Sequence, residues 1–234
     1  MKVEALFVSD IHLGSRGCNS DEFHSVLKKY KPDHLFIVGD FIDGWLLKRR
    51  NYWTQDYINI IRKLLSYSKK GTKITYITGN HDDFLRAYTP FELGENIEVV
   101  DECIWNDYYI SHGDLYDGVV KLKWLGVLGS YGYELAINID RIFKFFGYNI
   151  RFSKMAKKKV KRAVKFITDF ERQMCYQAIV RNCKGVICGH IHTPSDKVVK
   201  IKKQDIQYLN CGDWIENNSY FIFKQNKFEL KYLQ

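Results

Sequence analysis

The chain has 234 residues, of which 46% are hydrophobic and 27% are charged, with only 3 prolines. This composition is typical of a packed globular protein with one large core, and it excludes a disordered or collagen-like chain. The formal net charge of +9 favours anionic partners such as nucleic acid, an acidic lipid surface or a phosphorylated substrate, without choosing among them.

The N-terminal part of the chain predicts a β-α-β-α-β unit. Its β-rich runs lie at residues 3–9, 34–38 and 73–78. Helical patterns fill the two gaps between these runs, at residues 21–31 and 55–69. For the second helix, Thr54 is a suitable N-cap and Gly71 a suitable terminator.

Further strands follow in two groups, which a long helical segment separates. The first group lies at residues 97–100 and 108–111, with a turn at Asn106 and Asp107 before its second strand. Residues 115–182 are helical in pattern almost throughout. The second group of strands lies at residues 185–188, 197–202, 206–210, 220–223 and 227–232.

The last helix of the 115–182 segment has an apolar face and a basic face. Its apolar residues, from Phe152 to Met174, recur at three- and four-residue steps, and lysines such as Lys157, Lys158 and Lys161 fill the remaining positions. One interpretation is a core-facing helix with a solvated basic side. The other is a cap that offers cations to an anionic ligand or a lipid surface.

The spacing of the cysteines and the lack of a signal-peptide pattern predict a cytoplasmic protein. The six cysteines include no C-x-x-C pair, which argues against a disulfide framework and against a cysteine-based zinc site. Glu4 interrupts what would be the apolar region of a signal peptide, and no uninterrupted apolar run reaches about 18 residues. We therefore expect reduced, mostly buried thiols, no secretion and no membrane span.

Five polar motifs follow predicted strands, and they contain five of the seven histidines. Because ligands bind beyond the carboxyl ends of strands in an open α/β sheet, we expect these motifs to converge on one place. Carboxylates, imidazoles and one amide, without a thiolate, suit Mn²⁺, Fe or Zn²⁺. The donors outnumber the needs of one ion, so the pattern predicts two ions that share a carboxylate. The motifs are Asp10-x-His12, Gly39-Asp40-x-x-Asp43, Gly79-Asn80-His81-Asp82, His112-Gly113-Asp114 and Gly189-His190-x-His192.

The order of these motifs, from Asp10 to His192, resembles that of the calcineurin-like metallophosphoesterases. The resemblance implies an α/β fold with a two-sheet β-sandwich flanked by helices. The core would comprise residues 1–114 and 183–234, and residues 115–182 would form a helical cap insertion. The first divalent ion would be held by Asp10, His12, Asp40 and His192. The second would be held by Asp40, Asn80, His112 and His190, with Asp40 as the bridge.

The resemblance also implies roles in catalysis. His81 matches the family's histidine beside the second ion, which assists the phosphoryl oxygen or the leaving group. His81 and Asp40 are therefore the catalytic candidates, and Asn80 and His81 are candidate substrate contacts. Asp43, Asp82 and Asp114 are candidates either for orienting the histidines or for capping turns.

A narrower resemblance concerns the substrate. In length and layout the chain is similar to the UDP-2,3-diacylglucosamine diphosphatases of lipid A biosynthesis, in which a helical insertion forms a lipid-binding cap. This implies peripheral association with the anionic inner-membrane surface and release of UMP and a lipid monophosphate. Lys161 and Lys165 would contact the diphosphate, and an aromatic cluster between Trp124 and Phe146 would line an acyl groove or simply pack helix against helix. The best-known members have Arg at the position of His81.

Three functional hypotheses follow. The first is a hydrolase of a nucleotide-linked lipid diphosphate, and the second is a soluble phosphodiesterase, nuclease or nucleotide diphosphatase that uses its basic residues to bind polyanions. The third is a scaffold that has lost its metals, which the filled ligand positions disfavour. The sequence has no G-x-S-x-G elbow and no Walker loop, and we infer no obligate protein partner.

Overall fold

A computed structural model of the chain describes residues 1–49, 52–116 and 152–233. The chain divides into two compact units, one formed by Met1–Leu115 with Met174–Gln234 and the other by Tyr116–Gln173. All five motifs lie in the first unit. The predicted aromatic cluster between Trp124 and Phe146 lies outside the described residues.

The first unit contains two β-sheets. The described strands are β1 (Lys2–Val8), β2 (Lys31–Val38), β3 (Lys73–Ile77), β4 (Phe91–Glu92), β5 (Ile97–Val100), β6 (Glu102–Trp105), β7 (Tyr108–Ser111), β8 (Gly185–Cys188), β9 (Ser195–Ile201), β10 (Gln204–Asn210), β11 (Ser219–Lys224) and β12 (Lys227–Tyr232). The described α-helices are α1 (Ser20–Lys29), α2 (Gly44–Leu47), α3 (Gln55–Lys69) and α4 (Phe152–Val180). The two-sheet arrangement with flanking helices agrees with the fold class expected from the sequence.

Parallel pairing brings the motif-bearing strand ends together. The first sheet has the order β12-β11-β1-β2-β3-β5-β4, and β1, β2, β3 and β5 run parallel. The second sheet has the order β6-β7-β8-β10-β9, with β7, β8 and β10 parallel. Each of the five motifs follows the carboxyl end of one of these parallel strands. The topology therefore collects them at one edge of the molecule.

Two apolar layers hold the first unit together, and β1 contributes to both. Ala5 and Phe7 belong to the layer that includes residues of both sheets, such as Ile110 and Leu209. Leu6 belongs to the layer formed with helices α1 and α3. Because successive side chains point to opposite faces of a strand, a strand buried on both faces is apolar throughout. This explains why residues 5–8 form an uninterrupted apolar run.

Local signals explain where several elements begin and end. Helix α3 has the predicted bounds, and Thr54 Oγ1 accepts a hydrogen bond from Tyr57 N–H at 3.4 Å. Gly71 follows with a φ of +86°, in the left-handed region that favours glycine. The predicted end of α1 at residue 31 was wrong. Lys31 precedes Pro32, whose ring disfavours helical backbone at that residue, and Lys31 instead starts β2.

The predictions about cysteines and membrane spans can also be compared with the structure. All six cysteines are free thiols, and four of them are buried, as expected. Within the described residues, no helix combines the length and the apolar character that crossing a bilayer requires.

His34 lies on β2, outside the motifs. Its surroundings make the stability of the fold depend on pH. Its Nε2 lies 2.8 Å from Thr75 Oγ1, and the Thr75 hydroxyl donates to Glu98 Oε1 at 2.6 Å. Burial lowers the pKa of His34 to about 4; Lys73 adds to this effect and Glu98 opposes it. The unfolded chain, with a histidine pKa of about 6.5, therefore binds more protons than the folded chain between these two values.

We expect the free energy of unfolding to fall as the pH falls from about 6.5 to 4, because protonating His34 favours the unfolded state. A His34→Gln variant should lose less of its stability over the same range. Urea unfolding of both proteins at several pH values, with chelator present, measures the difference. Equal losses in the two proteins would contradict this account of His34.

Candidate metal centre

The ends of β1 and β2 bring three predicted ligands together. Backbone hydrogen bonds join the two loops: Asp10 N–H donates to the Gly39 carbonyl at 3.1 Å and His12 N–H to the Asp40 carbonyl at 2.9 Å. Within this frame, His12 Nε2 lies 3.7 Å from both Asp10 Oδ1 and Asp40 Oδ2.

The loops after β3, β7 and β8 supply the other four predicted ligands. His112 Nε2 lies 3.3 Å from Asp40 Oδ2, and His192 Nε2 lies 3.1 Å from Asp10 Oδ1. His190 Nδ1 lies 3.1 Å from Asn80 Oδ1, and the rings of His112 and His190 are 5.2 Å apart. The seven residues thus form one continuous cluster.

In the carboxylates of Asp10 and Asp40, one oxygen accepts hydrogen bonds from the protein and the other faces the histidines of the cluster. Asp10 Oδ2 accepts hydrogen bonds from Ser9 Oγ and from His190 N–H, while Oδ1 faces His12 and His192. Asp40 Oδ1 accepts from His81 N–H at 2.8 Å, while Oδ2 faces both His12 and His112. Because ligand bonds of about 2.0–2.2 Å put the donors of one ion roughly 3–3.5 Å apart, the 3.3 Å between Asp40 Oδ2 and His112 Nε2 fits donors that would share an ion, and the 3.7 Å to His12 Nε2 is slightly longer.

Buried atoms without hydrogen bonds fit a metal centre. Asp10 Oδ1, His12 Nε2 and His112 Nε2 are buried and make no hydrogen bond to any described residue. Burial of an unsatisfied polar atom costs about 1–3 kcal/mol, and a coordinated cation would remove that cost. His112 is also fixed for this role, because its Nδ1 lies 2.9 Å from the Val38 carbonyl and can donate to it, which leaves the lone pair on Nε2.

The charges of the cluster favour bound cations. Burial acts to lower the pKa of His12, but the carboxylates of Asp10 and Asp43 outweigh it and raise this pKa to about 10. The pKa of His112 is likewise raised to about 10, against the effect of burial, chiefly by Asp40. Without a metal ion the imidazoles of His12 and His112 therefore hold protons. A metal ion takes the place of that positive charge as it binds.

Five of the seven predicted ligands have backbone in the left-handed region. Their φ values are 53° for Asp10, 55° for His12, 51° for Asp40, 70° for His190 and 52° for His192. For residues with a Cβ this conformation costs about 1–2 kcal/mol each, and it persists only where the surroundings enforce it. The interlocking loops at the strand ends enforce it here, so five of the residues that would hold metal have a strained backbone.

Asp43 both begins a helix and faces two histidines. Its Oδ1 accepts from Leu46 N–H at 2.9 Å and thereby caps α2. The same Oδ1 lies 3.1 Å from His81 Nδ1, and Oδ2 lies 3.5 Å from His12 Nδ1. Of the two roles considered for Asp43, the structure shows the capping of a turn, and the role in orienting histidines stays a prediction.

Asp82 and Asp114 fasten loops, and within the described residues neither carboxylate makes a hydrogen bond to a metal-ligating imidazole. Asp82 accepts from Phe41 N–H at 2.8 Å, Tyr76 OH at 2.6 Å and Gly79 N–H at 2.5 Å, so it ties the second motif to the third. Burial and the charge of Asp40 raise the pKa of Asp82 to about 6. Asp114 instead accepts two hydrogen bonds from the Arg86 guanidinium, each 2.9 Å long.

A loop after β10 supports the metal-ligating loops, and the sequence motifs did not identify it. Trp214 N–H donates to the Asp10 carbonyl at 3.0 Å, and Asn217 Nδ2 donates to the His192 carbonyl at 2.9 Å. Asp213 Oδ1 accepts from Ile215 and Glu216 N–H and so shapes this loop. The signal was available, because the segment Cys211-Gly-Asp-Trp follows a strand end as the other motifs do.

The two predicted lysine contacts lie in the second unit. Lys165 is exposed on α4, and the side chain of Lys161 lies outside the described residues. Their contact with a substrate remains a prediction.

Comparison with known proteins gives matches of three kinds. The family model described as calcineurin-like phosphoesterase matches residues 4–194. A UDP-2,3-diacylglucosamine hydrolase of Porphyromonas gingivalis is 26% identical over 125 residues, which are 49% of this chain and 47% of that protein. The match thus spans about half the length of this curated relative.

Among solved structures, the protein TT1561 of Thermus thermophilus is 12% identical, covers 99% of this chain and 100% of its own, and gives a TM-score of 0.47. A dimetal phosphatase from Danio rerio is 11% identical, covers 97% and 95%, and gives a TM-score of 0.44.

Gly79, in the third motif, packs tightly against Asp40, and substituting it tests whether the site needs this packing. A Cβ at Gly79 would collide with the carboxylate and the backbone nitrogen of Asp40, whereas a Cβ at Gly17 would meet its nearest atom at an ordinary 3.5 Å. We expect Gly79→Ala to displace Asp40 and to reduce the bound metal below the parent's content, while Gly17→Ala keeps it. Elemental analysis after gel filtration measures both. Full metal content in a folded Gly79→Ala protein would show that Asp40 can move without loss of the site.

Proposed function

Because the chain belongs to the calcineurin-like phosphoesterase family, whose members are metal-dependent phosphoester hydrolases, we propose that it cleaves the diphosphate of a nucleotide-linked lipid. UDP-2,3-diacylglucosamine or a close relative is the substrate, and UMP and the lipid monophosphate are the products. The cluster of seven predicted ligands, which includes Asp40, carries the hydrolase part of this proposal, with His81 beside it. The relative from Porphyromonas gingivalis supports the choice of substrate class.

The chain's own side chains have distinct tasks in this reaction. Asp10, His12, Asp40 and His192 would hold one divalent cation, and Asp40, Asn80, His112 and His190 the other. Two such cations, Mn²⁺ with Fe or Zn²⁺ as alternatives, would supply an activated water and neutralise charge on the phosphoryl oxygens.

His81 is the residue assigned to the leaving group. Its backbone N–H is fixed by Asp40 and its Nδ1 faces Asp43, so Nε2 is the nitrogen that can reach a substrate. From there it donates a hydrogen bond or a proton to the leaving-group oxygen. Asn80, adjacent in the chain, contacts a phosphoryl oxygen through its amide.

The substrate's acyl chains place the enzyme at a membrane surface in this proposal. Lys161 and Lys165, with their basic neighbours on α4, would contact the diphosphate or the anionic lipids of the cytoplasmic face of the inner membrane.

One observation favours a second function, a general phosphodiesterase of the same family that acts on a soluble substrate or nucleic acid. His81 stands where the best-known lipid A diphosphatases have Arg.

A His81→Ala variant separates chemistry from metal binding. We expect turnover to fall by about 10²–10⁴-fold, as for the loss of a general acid, while both metals remain bound. His24→Ala, outside the motifs, should keep full activity. Elemental analysis and kcat are measured on the same preparations. Loss of metal would make His81 a ligand, and unchanged turnover would remove it from the mechanism.

The substrate assignment is tested with a matched panel. We expect UDP-2,3-diacylglucosamine in mixed micelles to be cleaved at least about tenfold more efficiently than its deacylated form, because acyl chains add apolar contact. In labelled water, mass spectrometry should find the label in only one of the two products. Equal efficiency on the deacylated compound or on an oligonucleotide would replace the lipid assignment with the general phosphodiesterase.

A further inference from the structure

Trp45 is a large apolar residue that the fold leaves exposed. It lies on α2 directly after Gly44, and 42% of its surface is accessible to solvent. It belongs to neither of the two apolar clusters of the first unit. Its position is therefore not explained by packing of the core.

The indole of Trp45 lies against the imidazole of His81. The two ring centroids are 4.2 Å apart, and the ring planes meet at 33°. The backbone fixes this contact, because Gly44 N–H donates to the His81 carbonyl at 3.0 Å. A Cβ at Gly44 would lie 2.8 Å from that carbonyl oxygen, so glycine allows the close approach of the two loops.

Two other groups surround the same imidazole. Asp43 Oδ1 lies 3.1 Å from Nδ1, and the His12 ring stands edge-on, with centroids 4.6 Å apart and planes at 88°. Asp43 lies beside one edge of the His81 ring, but Nδ1 makes no hydrogen bond to any described residue, so this contact leaves rotation of the ring open. Contact with the face of the indole limits that rotation.

We propose that Trp45 is a positioning residue, which holds the plane of the His81 imidazole so that Nε2 meets the leaving-group oxygen. This inference rests on the role proposed above for His81. It does not depend on the lipid substrate. Positioning acts on the step in which the leaving group departs, because misplacement of a catalytic group by about 1 Å can cost 10²-fold in rate.

Two aryl phosphodiesters serve as probes, bis(4-nitrophenyl) phosphate and diphenyl phosphate. 4-Nitrophenolate leaves without a proton, whereas phenolate needs assistance from a donor. We expect Trp45→Ala to lower kcat by about 10- to 100-fold on diphenyl phosphate and by much less on the nitrophenyl ester. KM and metal content should be unchanged, and Trp45→Phe should restore most of kcat.

Trp53→Ala is the matched control. Trp53 is also exposed, at 36%, but its ring packs on Tyr57 with centroids 5.4 Å apart. We expect its removal to leave both substrates unaffected. A loss that matches the one in Trp45→Ala would overturn the proposal, since removal of any exposed tryptophan would then produce it.

A double-mutant cycle with His81→Ala decides whether Trp45 acts through His81. If it does, Trp45→Ala causes no further loss in a chain that already lacks the imidazole. An undiminished loss in that background, or a raised KM, would overturn the proposal and make Trp45 a substrate contact. If His81→Ala alone leaves turnover unchanged, the proposed role of His81 fails. If His81→Ala is impaired but Trp45→Ala is not, only the present inference fails.

Discussion

The carboxylate of Asp40 is the constraint around which the rest of the site is arranged. It is 1% exposed, yet it carries a negative charge whose burial is costly unless cations or hydrogen bonds surround it. His12 and His112 face one of its oxygens and the backbone of His81 binds the other. The same charge raises the pKa of Asp82, and the lack of a side chain at Gly79 leaves room for it.

The sheets provide the rigidity that this arrangement needs. Parallel strands end at one edge, and the short loops beyond them bind one another through their backbones, so that strained left-handed residues are held in place. The cost of the strain is offset by burial in the two apolar layers behind the loops, where each large side chain contributes about 1.5–3 kcal/mol. A donor set of this kind is pre-organised, because the ligands do not have to move far to meet an ion.

The sequence predicted those helices and motifs that are marked by local residue types or by a pattern that repeats along the chain. Helix α3 has both a cap and a terminator, and the motifs could be found because polar residues directly follow apolar strands. Helix α2 has only four residues, too few to show a period, so Trp45 was not connected with His81. The loop that contains Trp214 and Asn217 was not identified, although it follows a strand end as the motifs do, because it bonds to the backbone carbonyls of Asp10 and His192 and adds no ligand to the cluster.

The ion pair between Arg86 and Asp114 lies one residue before the first compact unit gives way to the second. Arg86 also donates to the hydroxyl and the carbonyl of Thr78, so Asp114 is anchored to the end of β3. The chain that follows Leu115 is thus joined to a fixed residue, Asp114, which lies two residues after His112. The first unit therefore ends at a point tied to β3, the strand before Asn80 and His81, so a change in the length of the chain after Leu115 would leave the ends of the motif-bearing strands held by contacts within the first unit.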